Sequence, residues 1–378
     1  MSKRPRIFCI VAARPNFMKI APILAEIEKR STLDATLVHT GQHYDANMSD
    51  VFFQDLGIRA PDVHLGIGSG SHAEQTGRLM IAFERLCTED RPDLVLVVGD
   101  VNATVACSLV AAKLHIPVAH VEAGLRSGDR RMPEEINRIV TDQLSDLLFT
   151  TSRDADENLQ REGIAAKKIH FTGNVMVDSL LGQLPRTDPE GTVVKALGAD
   201  WQGREFALLT MHRPSNVDDA STLEGWVQAF EKISESIPLV SPLHPRTRNA
   251  LNRAGLAARF EAAVRTIEPL GYLEFSGLMQ RARLVITDSG GLQEETTVLG
   301  IPCLTIRENT ERPVTVTQGT NRLIGVEPGE LVRAVETALV AFDCGERNVP
   351  ELWDGRASQR IVSVLEKIFL EQRNSSRA

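Results

Sequence analysis

Short apolar runs alternate with amphipathic stretches along the first half of the chain. An apolar run at residues 7–13 precedes a helix-like pattern at 17–27, in which apolar residues recur every three or four positions. The alternation continues with predicted strands at 35–39, 94–98, 118–121, 147–150 and 169–171 and predicted helices at 73–87, 104–114 and 134–144. This order predicts a parallel sheet with helices on both faces.

A second series of the same kind follows an interruption. Residues 182–203 contain prolines and glycines among polar residues, which is typical of a domain boundary. Beyond them we predict strands at 206–211, 239–241, 264–267, 284–287, 303–306 and 323–324 and a last helix at 358–371. Two α/β halves of similar size leave an interdomain cleft lined by strand ends, and such clefts are favoured places for small-ligand sites.

The composition argues against several classes of protein. Of the 378 residues, 42% are hydrophobic and 24% are charged, as in soluble globular proteins. The net charge of −8 argues against nucleic acid or an anionic membrane as the main partner. No run approaches the roughly 18 apolar residues of a spanning helix, so we expect no membrane insertion. Five cysteines without Cys-x-x-Cys spacing predict reduced thiols, a cytoplasmic location and no metal centre.

Two carboxylates end predicted neighbouring strands. Asp100 follows the run 94–98, and Glu122 follows the run 118–121. A charge at a buried strand end is costly without a partner, so the pair is a candidate for general acid and base work. Glu134 and Glu135 begin a predicted helix, and there the helix dipole is a sufficient structural explanation.

A glycine turn follows the predicted strand 284–287. Ser289, Gly290 and Gly291 would open a helix whose free amides and dipole favour an anion such as a diphosphate. Glu295, one turn further on, could accept a ribose hydroxyl. The alternative is an ordinary helix start capped by Ser289. Two successive glycines weaken a helix start, and this favours the ligand interpretation.

Basic side chains stand beside the predicted strand ends. Arg14 and Lys19 follow the first strand, and a guanidinium suits phosphate recognition. Arg312, beyond the strand 303–306, could reach the same diphosphate. His212 is equally compatible with a phosphate contact and a structural role, whereas we interpret His244 as structural.

The glycine pattern at residues 66–70 resembles a dinucleotide-binding fingerprint only weakly. It does not lie between the first strand and the first helix, and no acidic residue ends a second strand after it. We interpret it as a loop that caps the next helix, and we expect no nicotinamide cofactor.

Several motifs together resemble those of one enzyme family. They are Ala13-Arg14-Pro15, Gly41-Gln42-His43, Gly99-Asp100, His-Val-Glu-Ala-Gly-Leu-Arg at 120–126, Pro-Glu-Glu-Ile-Asn-Arg at 133–138, Asp-Ser-Gly-Gly at 288–291 and Thr-Glu-Arg-Pro at 310–313. The combination spans nearly the whole chain and is specific, although each motif alone is not. The chain resembles the non-hydrolysing UDP-N-acetylglucosamine 2-epimerases.

The resemblance implies a fold, a division into domains and an assembly. It implies two Rossmann-like domains, shared with GT-B glycosyltransferases, a last helix that crosses back onto the first domain, and a homodimer. We therefore expect a first domain of residues 1–172 plus 358–378 with the acid/base residues. The second domain, residues 173–357, would bind UDP.

The same resemblance implies roles for single side chains. Lys19, Asp100, Glu122, Glu134 and His212 match catalytic positions. The positions that bind the UDP-sugar are matched by Arg14, Lys19, Asp100, Glu122, Arg138 and His212 at the sugar and phosphates, by Leu270 and Phe275 at uracil, by Ser289, Gly290 and Gly291 at the diphosphate, by Glu295 at the ribose, and by Arg312.

Three positions depart from the family pattern. Ser215 stands where many relatives have glutamate, and Leu270 replaces a polar residue, so a uracil contact there would use the main chain. Many bacterial members bind a second substrate molecule as an activator, and Gln42, His43 and Gln75 match that region. Glu74, however, occupies a position that is basic in such members, so whether this chain is activated stays open.

The chemistry of the sugar restricts the ways in which C2 can be inverted. The hydrogen on C2 of the sugar is not acidic, so inversion needs transient oxidation or departure of the C1 substituent. Without a dinucleotide fingerprint, we expect elimination of UDP to 2-acetamidoglucal and its re-addition, with no cofactor and no metal, in the supply of a surface polysaccharide precursor. The alternatives are a GT-B glycosyltransferase, a hydrolysing 2-epimerase and a non-catalytic sugar-nucleotide sensor.

Overall fold

The computed structural model describes residues 4–41, 57–341 and 349–375, which fall into two units. The first unit contains the residues up to Gly182 and those from Glu351 onward. The second unit contains the residues from Gln183 to Pro350. In both units parallel strands alternate with helices, so the predicted α/β class with two Rossmann-like domains is confirmed.

The described residues form the following elements. The strands are β1 (Arg6–Val11), β2 (Asp34–His39), β3 (Val63–His64), β4 (Leu94–Val98), β5 (Val118–Ala123), β6 (Leu147–Thr150), β7 (Ile169–Phe171), β8 (Ala207–Thr210), β9 (Leu239–Pro242), β10 (Val264–Ile267), β11 (Leu284–Thr287), β12 (Cys303–Thr305) and β13 (Asn321–Leu323). The helices are α1 (Arg14–Arg30), α2 (His72–Glu89), α3 (Asn102–Lys113), α4 (Pro133–Leu144), α5 (Arg153–Arg161), α6 (Val175–Gln183), α7 (Pro189–Leu197), α8 (Pro214–Val217), α9 (Ala220–Ser234), α10 (Pro245–Ala254), α11 (Ala257–Ala263), α12 (Tyr272–Arg281), α13 (Gly290–Leu299), α14 (Val314–Thr317), α15 (Pro328–Ala341) and α16 (Ala357–Ser375).

The sheet of the first unit has a reversal of strand order at its centre. Within the described residues the order is β3-β2-β1-β4-β5-β6-β7, and every neighbouring pair is parallel. Strand β4 is buried along its whole length because both sheet faces are covered by helices. The order reverses between β1 and β4, and ligands of open α/β sheets bind outside the strand ends at such a point.

The sheet of the second unit repeats this plan. Its described strands are ordered β10-β9-β8-β11-β12-β13, again all parallel, with the reversal between β8 and β11. Its core is built around Trp226, Phe230 and Phe260, which are fully buried. Each unit therefore has its own hydrophobic core and its own topological switch point.

The unit boundaries differ from the expected residues 172 and 358. Helix α6 belongs to the first unit because Ser179 Oγ donates to the carbonyl of Met18. The chain returns to the first unit at Glu351, and Trp353 Nε1 donates to the carbonyl of Thr151 at 2.9 Å. The proline- and glycine-rich stretch after residue 182 belongs to the second unit and contains α7.

The remaining predictions concern a helix cap, a short strand, membrane-spanning helices and metal-binding groups. The glycine pattern at 66–70 precedes a helix cap, as predicted: the Ser71 hydroxyl accepts from the Glu74 amide, and the Glu74 carboxylate accepts from the Ser71 amide. The two-residue strand β3 has too short a pattern to be predicted. Among the described residues, no helix has the length and apolar character needed to cross a membrane. Nor does any group of three His, Cys, Asp or Glu residues there have a metal-binding arrangement.

Candidate functional site

The turn after β4 is shaped by a glycine. Gly99 has a φ of +68°, in the left-handed region that favours glycine. A Cβ atom there would lie 2.9 Å from Lys19 Nζ and 3.4 Å from Glu122 Oε2. Any larger residue would strain the backbone, and its Cβ atom would also be too close to Lys19 Nζ.

Lys19 and Glu122 form a buried ion pair beside this turn. Lys19 lies in α1 and is 6% exposed, and Glu122 lies in β5 and is 4% exposed. The predicted closeness of Asp100 and Glu122 rests on neighbouring β4 and β5, which pair as expected. Burying two opposite charges costs desolvation energy, so such a pair is weak evidence for stability. It is better evidence for a functional site.

The backbone of Glu122 is strained. Its φ is +72°, and the register between β5 and β6 shifts between Val121 and Ala123. A non-glycine residue in this conformation costs on the order of 1–3 kcal/mol and persists only where the surroundings impose it. The bulge aims the Glu122 carboxylate at Lys19 rather than continuing the strand.

Asp100 is held by a buried arginine. Arg138 in α4 donates to Asp100 and, through Nη2 at 2.6 Å, to Glu135. Glu135 also accepts the amides of Ser127 and Gly128 at 3.0 and 2.9 Å. Burial tends to raise the pKa of Glu135, but these hydrogen bonds outweigh it and hold the pKa below its usual value. Glu135 is therefore an ionised anchor for Arg138, and the Asp100 side chain remains 30% exposed.

Two other predicted residues of the first unit stand at helix starts. Glu134 lies in the first turn of α4 and is exposed, one residue before the buried Glu135. Arg14 is the first residue of α1, but its side chain lies outside the described part of the structure. The roles of Glu134 and Arg14 therefore stay predictions.

The predicted activator region is described only in part. Gln42 and His43 lie in the stretch 42–56, outside the described residues. Gln75 is buried in α2, where its Oε1 accepts from Asn102 Nδ2 at 3.0 Å. Asn102 in turn lies 3.2 Å from His72 Nδ1. The described part of this region is thus a polar network at the start of α3.

Asn16 connects the two strand ends at the first switch point. Its Oδ1 accepts the amides of Ala12 and Ala13 at 3.3 and 3.0 Å after β1, and its Nδ2 donates to the carbonyl of Val98 at 2.9 Å at the end of β4. We call such a side chain a strand-end tie. Asn16 was not predicted as a site residue, although its position between Arg14 and Lys19 in the sequence was a usable signal.

The tie at the second switch point is a carboxylate. Asp288, fully buried after β11, accepts the amides of His212 and Arg213 at 2.8 and 2.7 Å and Asn216 Nδ2 at 3.1 Å. His212 Nδ1 lies 3.1 Å from its other oxygen. Burial tends to raise the pKa of Asp288, but the contacts with His212 and Arg213 outweigh it and lower the pKa. His244 Nδ1 caps α10 by accepting from the Arg246 amide.

At the helix start after Asp288, the backbone is closely packed beside Gly290 and open beside Gly291. Ser289 occupies the N-cap position of α13, but its side chain makes no capping hydrogen bond. A Cβ atom on Gly290 would lie 2.7 Å from Glu311 Oε1 and 2.8 Å from an Arg312 nitrogen, whereas one on Gly291 would meet nothing within 4 Å. Gly290 is therefore required for packing, and the space beside Gly291 is open to a ligand.

Arg312 belongs to a buried chain of alternating charges. Its Nε lies 2.7 Å from Glu294, and it also pairs with Glu311, whose other oxygen accepts from Arg307 at 2.8 Å. Burial tends to raise the pKa of Glu311, but the two guanidinium groups outweigh it and hold the pKa far below its usual value. In the described structure Arg312 thus supports the start of α13, and its predicted ligand contact stays a prediction.

Glu295 has the opposite electrostatic environment. It is 6% exposed, and Tyr272 Oη donates to its Oε1 at 3.4 Å. Burial, followed by the neighbouring charge of Glu294, raises the pKa of Glu295 to about 8. The group is therefore largely protonated at neutral pH, and it can both donate a hydrogen bond to a sugar hydroxyl and accept one from it.

The two predicted uracil residues lie near one another in the fold. Leu270 lines a cavity of about 260 Å³ together with Ile267, Lys195 and Glu274. Phe275, Leu270 and Ile267 pack against one apolar cluster of the second unit, which includes Leu208 and Leu278. Both residues therefore border the same apolar part of the second unit, and their contact with uracil stays a prediction.

Comparisons with known proteins agree on one family. A family profile described as UDP-N-acetylglucosamine 2-epimerase matches residues 25–366. The chain is 43% identical to a UDP-N-acetylglucosamine 2-epimerase of Methanococcus maripaludis, over 88% of this chain and 92% of the relative. It is 44% identical to a UDP-2,3-diacetamido-2,3-dideoxy-D-glucuronate 2-epimerase of Pseudomonas aeruginosa, over 96% of this chain and the whole relative. A crystal structure of the Methanocaldococcus jannaschii UDP-GlcNAc 2-epimerase with UDP-GlcNAc and UDP superposes with a TM-score of 0.85 at 41% identity, covering 95% of this chain and 99% of that one.

Proposed function

This chain belongs to the UDP-N-acetylglucosamine 2-epimerase family, and from that premise we propose that it interconverts UDP-N-acetylglucosamine and UDP-N-acetylmannosamine by inverting C2. The observation that carries the proposal is the pair of carboxylates at adjacent strand ends, Glu122 against Lys19 and Asp100 against Arg138. Carboxylates held beside buried cations can be kept ionised in an apolar setting, as a base must be.

The proposed reaction needs no redox step. One carboxylate removes the C2 proton while the C1–O bond to UDP breaks, giving 2-acetamidoglucal and UDP. A carboxyl group then returns a proton to the opposite face of C2, and a phosphate oxygen of UDP attacks C1. The atoms balance because the proton and the UDP that leave are replaced in the second half. We assign proton transfer to Asp100, Glu122 and Glu134 without ordering them.

The departing diphosphate needs positive charge. Lys19, Arg14 and His212 are the proposed groups, with Arg138 as a further contact. Preorganised charges of this kind stabilise a developing anion without reorganising water. Lys19 has two roles in this account, because in the described structure it neutralises Glu122. An arriving phosphate that attracts Lys19 would release Glu122 for proton abstraction.

The second unit is the proposed UDP-binding part. Ser289 and Gly291 at the start of α13 would hold the diphosphate through backbone amides and the helix dipole, with Arg312 behind them. Glu295 would take ribose hydroxyls, and the segment of Leu270 and Phe275 would take uracil. What supports this assignment is the open space beside Gly291.

A second substrate is favoured by one comparison. The Pseudomonas aeruginosa relative, named for the 2,3-diacetamido uronic acid nucleotide, is as similar to this chain as the relatives named for UDP-N-acetylglucosamine. Both reactions invert C2 of a UDP-sugar that carries a 2-acetamido group. The same acid/base residues would serve either substrate.

Assembly and biological role are further proposals. We propose a homodimer, as the resemblance implies, and a cytoplasmic enzyme that supplies a surface polysaccharide precursor. Light scattering of the purified protein tests the dimer. A monomer at micromolar concentration would contradict it.

The test of the function is incubation of the purified protein with each UDP-sugar in the absence of any acceptor. We expect the C2 epimer to form from UDP-N-acetylglucosamine, with the nucleotide sugar conserved. Accumulation of free N-acetylmannosamine would indicate a hydrolysing enzyme. Turnover only with an added acceptor would indicate a glycosyltransferase, and turnover only of the diacetamido uronic acid nucleotide would transfer the proposal to that substrate.

A further inference from the structure

A fully buried histidine lies behind the acid/base residues. His120 in β5 is 0% exposed, and its Nε2 lies 2.9 Å from the carbonyl oxygen of Gly99. Its Nδ1 lies 2.6 Å from Asp142 Oδ1. The ring therefore joins the turn that precedes Asp100 to helix α4.

Asp142 holds the chain on both sides of the strained residue Glu122. One of its oxygens accepts from His120, two residues before Glu122, and the other accepts the amide of Gly124 at 3.1 Å, two residues after it. Gly124 itself has a φ of +79°, and a Cβ atom there would lie 2.5 Å from the carbonyl oxygen of Ala155. The bulge at Glu122 is thus bracketed by a single buried carboxylate.

These contacts give a reason for the unusual backbone of Glu122. A positive φ at a glutamate persists only when the neighbouring structure imposes it. Here the imposing contacts come from Asp142 and from the amide of Gly99, which donates to the carbonyl of Val121 at 3.1 Å. His120 connects both, because it binds Asp142 on one side and Gly99 on the other.

We infer that His120 and Asp142 are positioning residues that set the distance between the Asp100 and Glu122 carboxylates. Neither side chain reaches substrate in this account, and each acts through the strand ends that it holds. The inference rests on the proposed function, because it names the residues that organise the proposed acid/base pair. Misplacing a reacting group by about 1 Å can lower turnover on the order of a hundredfold.

Two substitutions separate the two contacts of the ring. In His120→Gln the amide nitrogen can replace Nε2 and keep the bond to Gly99, whereas in His120→Asn it can replace Nδ1 and keep only the bond to Asp142. We expect His120→Asn to lower kcat on the order of a hundredfold with KM changed less than about threefold. His120→Gln should recover a large part of that loss. Asp142→Asn should lower kcat in the same way.

The matched control is Asp178→Asn. Asp178 is also a buried carboxylate of the first unit, and it accepts the amides of Ala357 and Ser358 at 3.0 and 2.8 Å. It should lower the melting temperature while leaving kcat unchanged. If His120→Asn and Asp142→Asn lower the melting temperature equally but also keep wild-type kcat, the inference is overturned. Should His120→Asn not fold, Asp142→Asn and His120→Gln decide by the same criteria.

An NMR readout is independent of turnover. Backbone amide signals of ¹⁵N-labelled protein report on the strand ends that His120 holds. Substitution by asparagine should shift the amide signals of Asp100 and Ala123 more than Asp178→Asn does. Absence of wild-type turnover would defeat the proposed function alone. Unmoved amide signals would defeat the positioning inference alone.

Discussion

The two switch points solve the same structural problem with different chemistry. In the first unit the strand-end tie is Asn16, a neutral amide, and the charged groups beside it pair with one another. In the second unit the tie is Asp288, whose charge is taken up by two backbone amides, Asn216 and His212. A neutral tie leaves Lys19, Glu122 and Asp100 for proton transfer and charge stabilisation. Beside the charged tie, the proposed contacts for a diphosphate are His212 and the backbone amides of the glycine helix start.

This difference teaches where reactivity can reside in a duplicated architecture. A carboxylate that accepts several N–H bonds has a depressed pKa and cannot exchange protons near neutral pH. Asp288 and Glu135 are of this kind. The Asp100 side chain, in contrast, is partly exposed and lies beside the neutral tie. We therefore place chemistry in the first unit and anion binding in the second.

The largest expected effect is on turnover. Asp100→Asn and Glu122→Gln should each lower kcat by about a hundredfold to ten-thousandfold, because each removes a group that transfers a proton. Steady-state kinetics with UDP-N-acetylglucosamine measure this. The control is Glu26→Gln, since Glu26 in the same unit pairs with Arg30 at 2.6 Å away from these carboxylates. Near-normal turnover in both site variants would contradict the assignment of proton transfer to the first unit.

Exchanging the ties tests the comparison itself. In Asn16→Asp a carboxylate would face the carbonyl of Val98 in a site that is 2% exposed, which should destabilise the first unit by about 1–3 kcal/mol. In Asp288→Asn the amide oxygen can still accept the amides of His212 and Arg213. We expect a smaller loss there, on the order of 1 kcal/mol.

Thermal unfolding of both variants measures the difference. Two substitutions of equal cost, or a more costly Asp288→Asn, would contradict the distinction between a neutral and a charged tie.

The glycine helix start predicts a loss of UDP affinity. Gly291→Ala should weaken UDP binding on the order of tenfold, because the methyl group fills the space beside the helix amides while touching no protein atom. Gly329→Ala in α15 is the matched control, since a Cβ atom there also meets nothing within 4 Å. Titration calorimetry compares the two. Equal affinities would exclude α13 as the anion site.

The smallest effect concerns pH and Glu295. A carboxyl whose pKa is raised to about 8 in the folded protein keeps its proton while the unfolded chain loses it above about 4.5, so stability falls as pH rises from about 4.5 to 8. Glu295→Gln removes this penalty. Its melting temperature should exceed that of the wild type by a few degrees at pH 8 and match it near pH 4.5. A gain that does not change with pH would contradict the assigned burial effect.

The sequence predicted the strands well because most are short runs of mainly apolar residues, and β4 is wholly apolar. It also placed Asp100 and Glu122 at neighbouring strand ends, because parallel strands put their carboxyl ends at one edge. It missed β3, whose two residues carry no periodicity. The domain boundary was predicted at residue 172, whereas the first unit extends to Gly182. The reason is that α6 packs on the first unit through contacts distant in sequence.

Partners of site residues were harder to predict than the residues themselves. Lys19 was expected to face a ligand. Its contact with Glu122 could not be predicted, because the two residues are 103 positions apart in the sequence. The anchors Asn16, Glu135 and Asp142 have polar side chains that are common on helices. Only the folded arrangement shows that they are buried. The signal for His120 was its place inside an apolar strand, where an imidazole needs partners for both nitrogens.

The central claim is that the first unit moves a proton at C2 of a UDP-sugar without redox help. The most direct test is incubation of the purified protein with UDP-N-acetylglucosamine in heavy water, with C2 followed by NMR. The account predicts UDP-N-acetylmannosamine that carries deuterium at C2, with the exchange greatly slowed in Glu122→Gln. An inverted product that retains its original C2 hydrogen would contradict it.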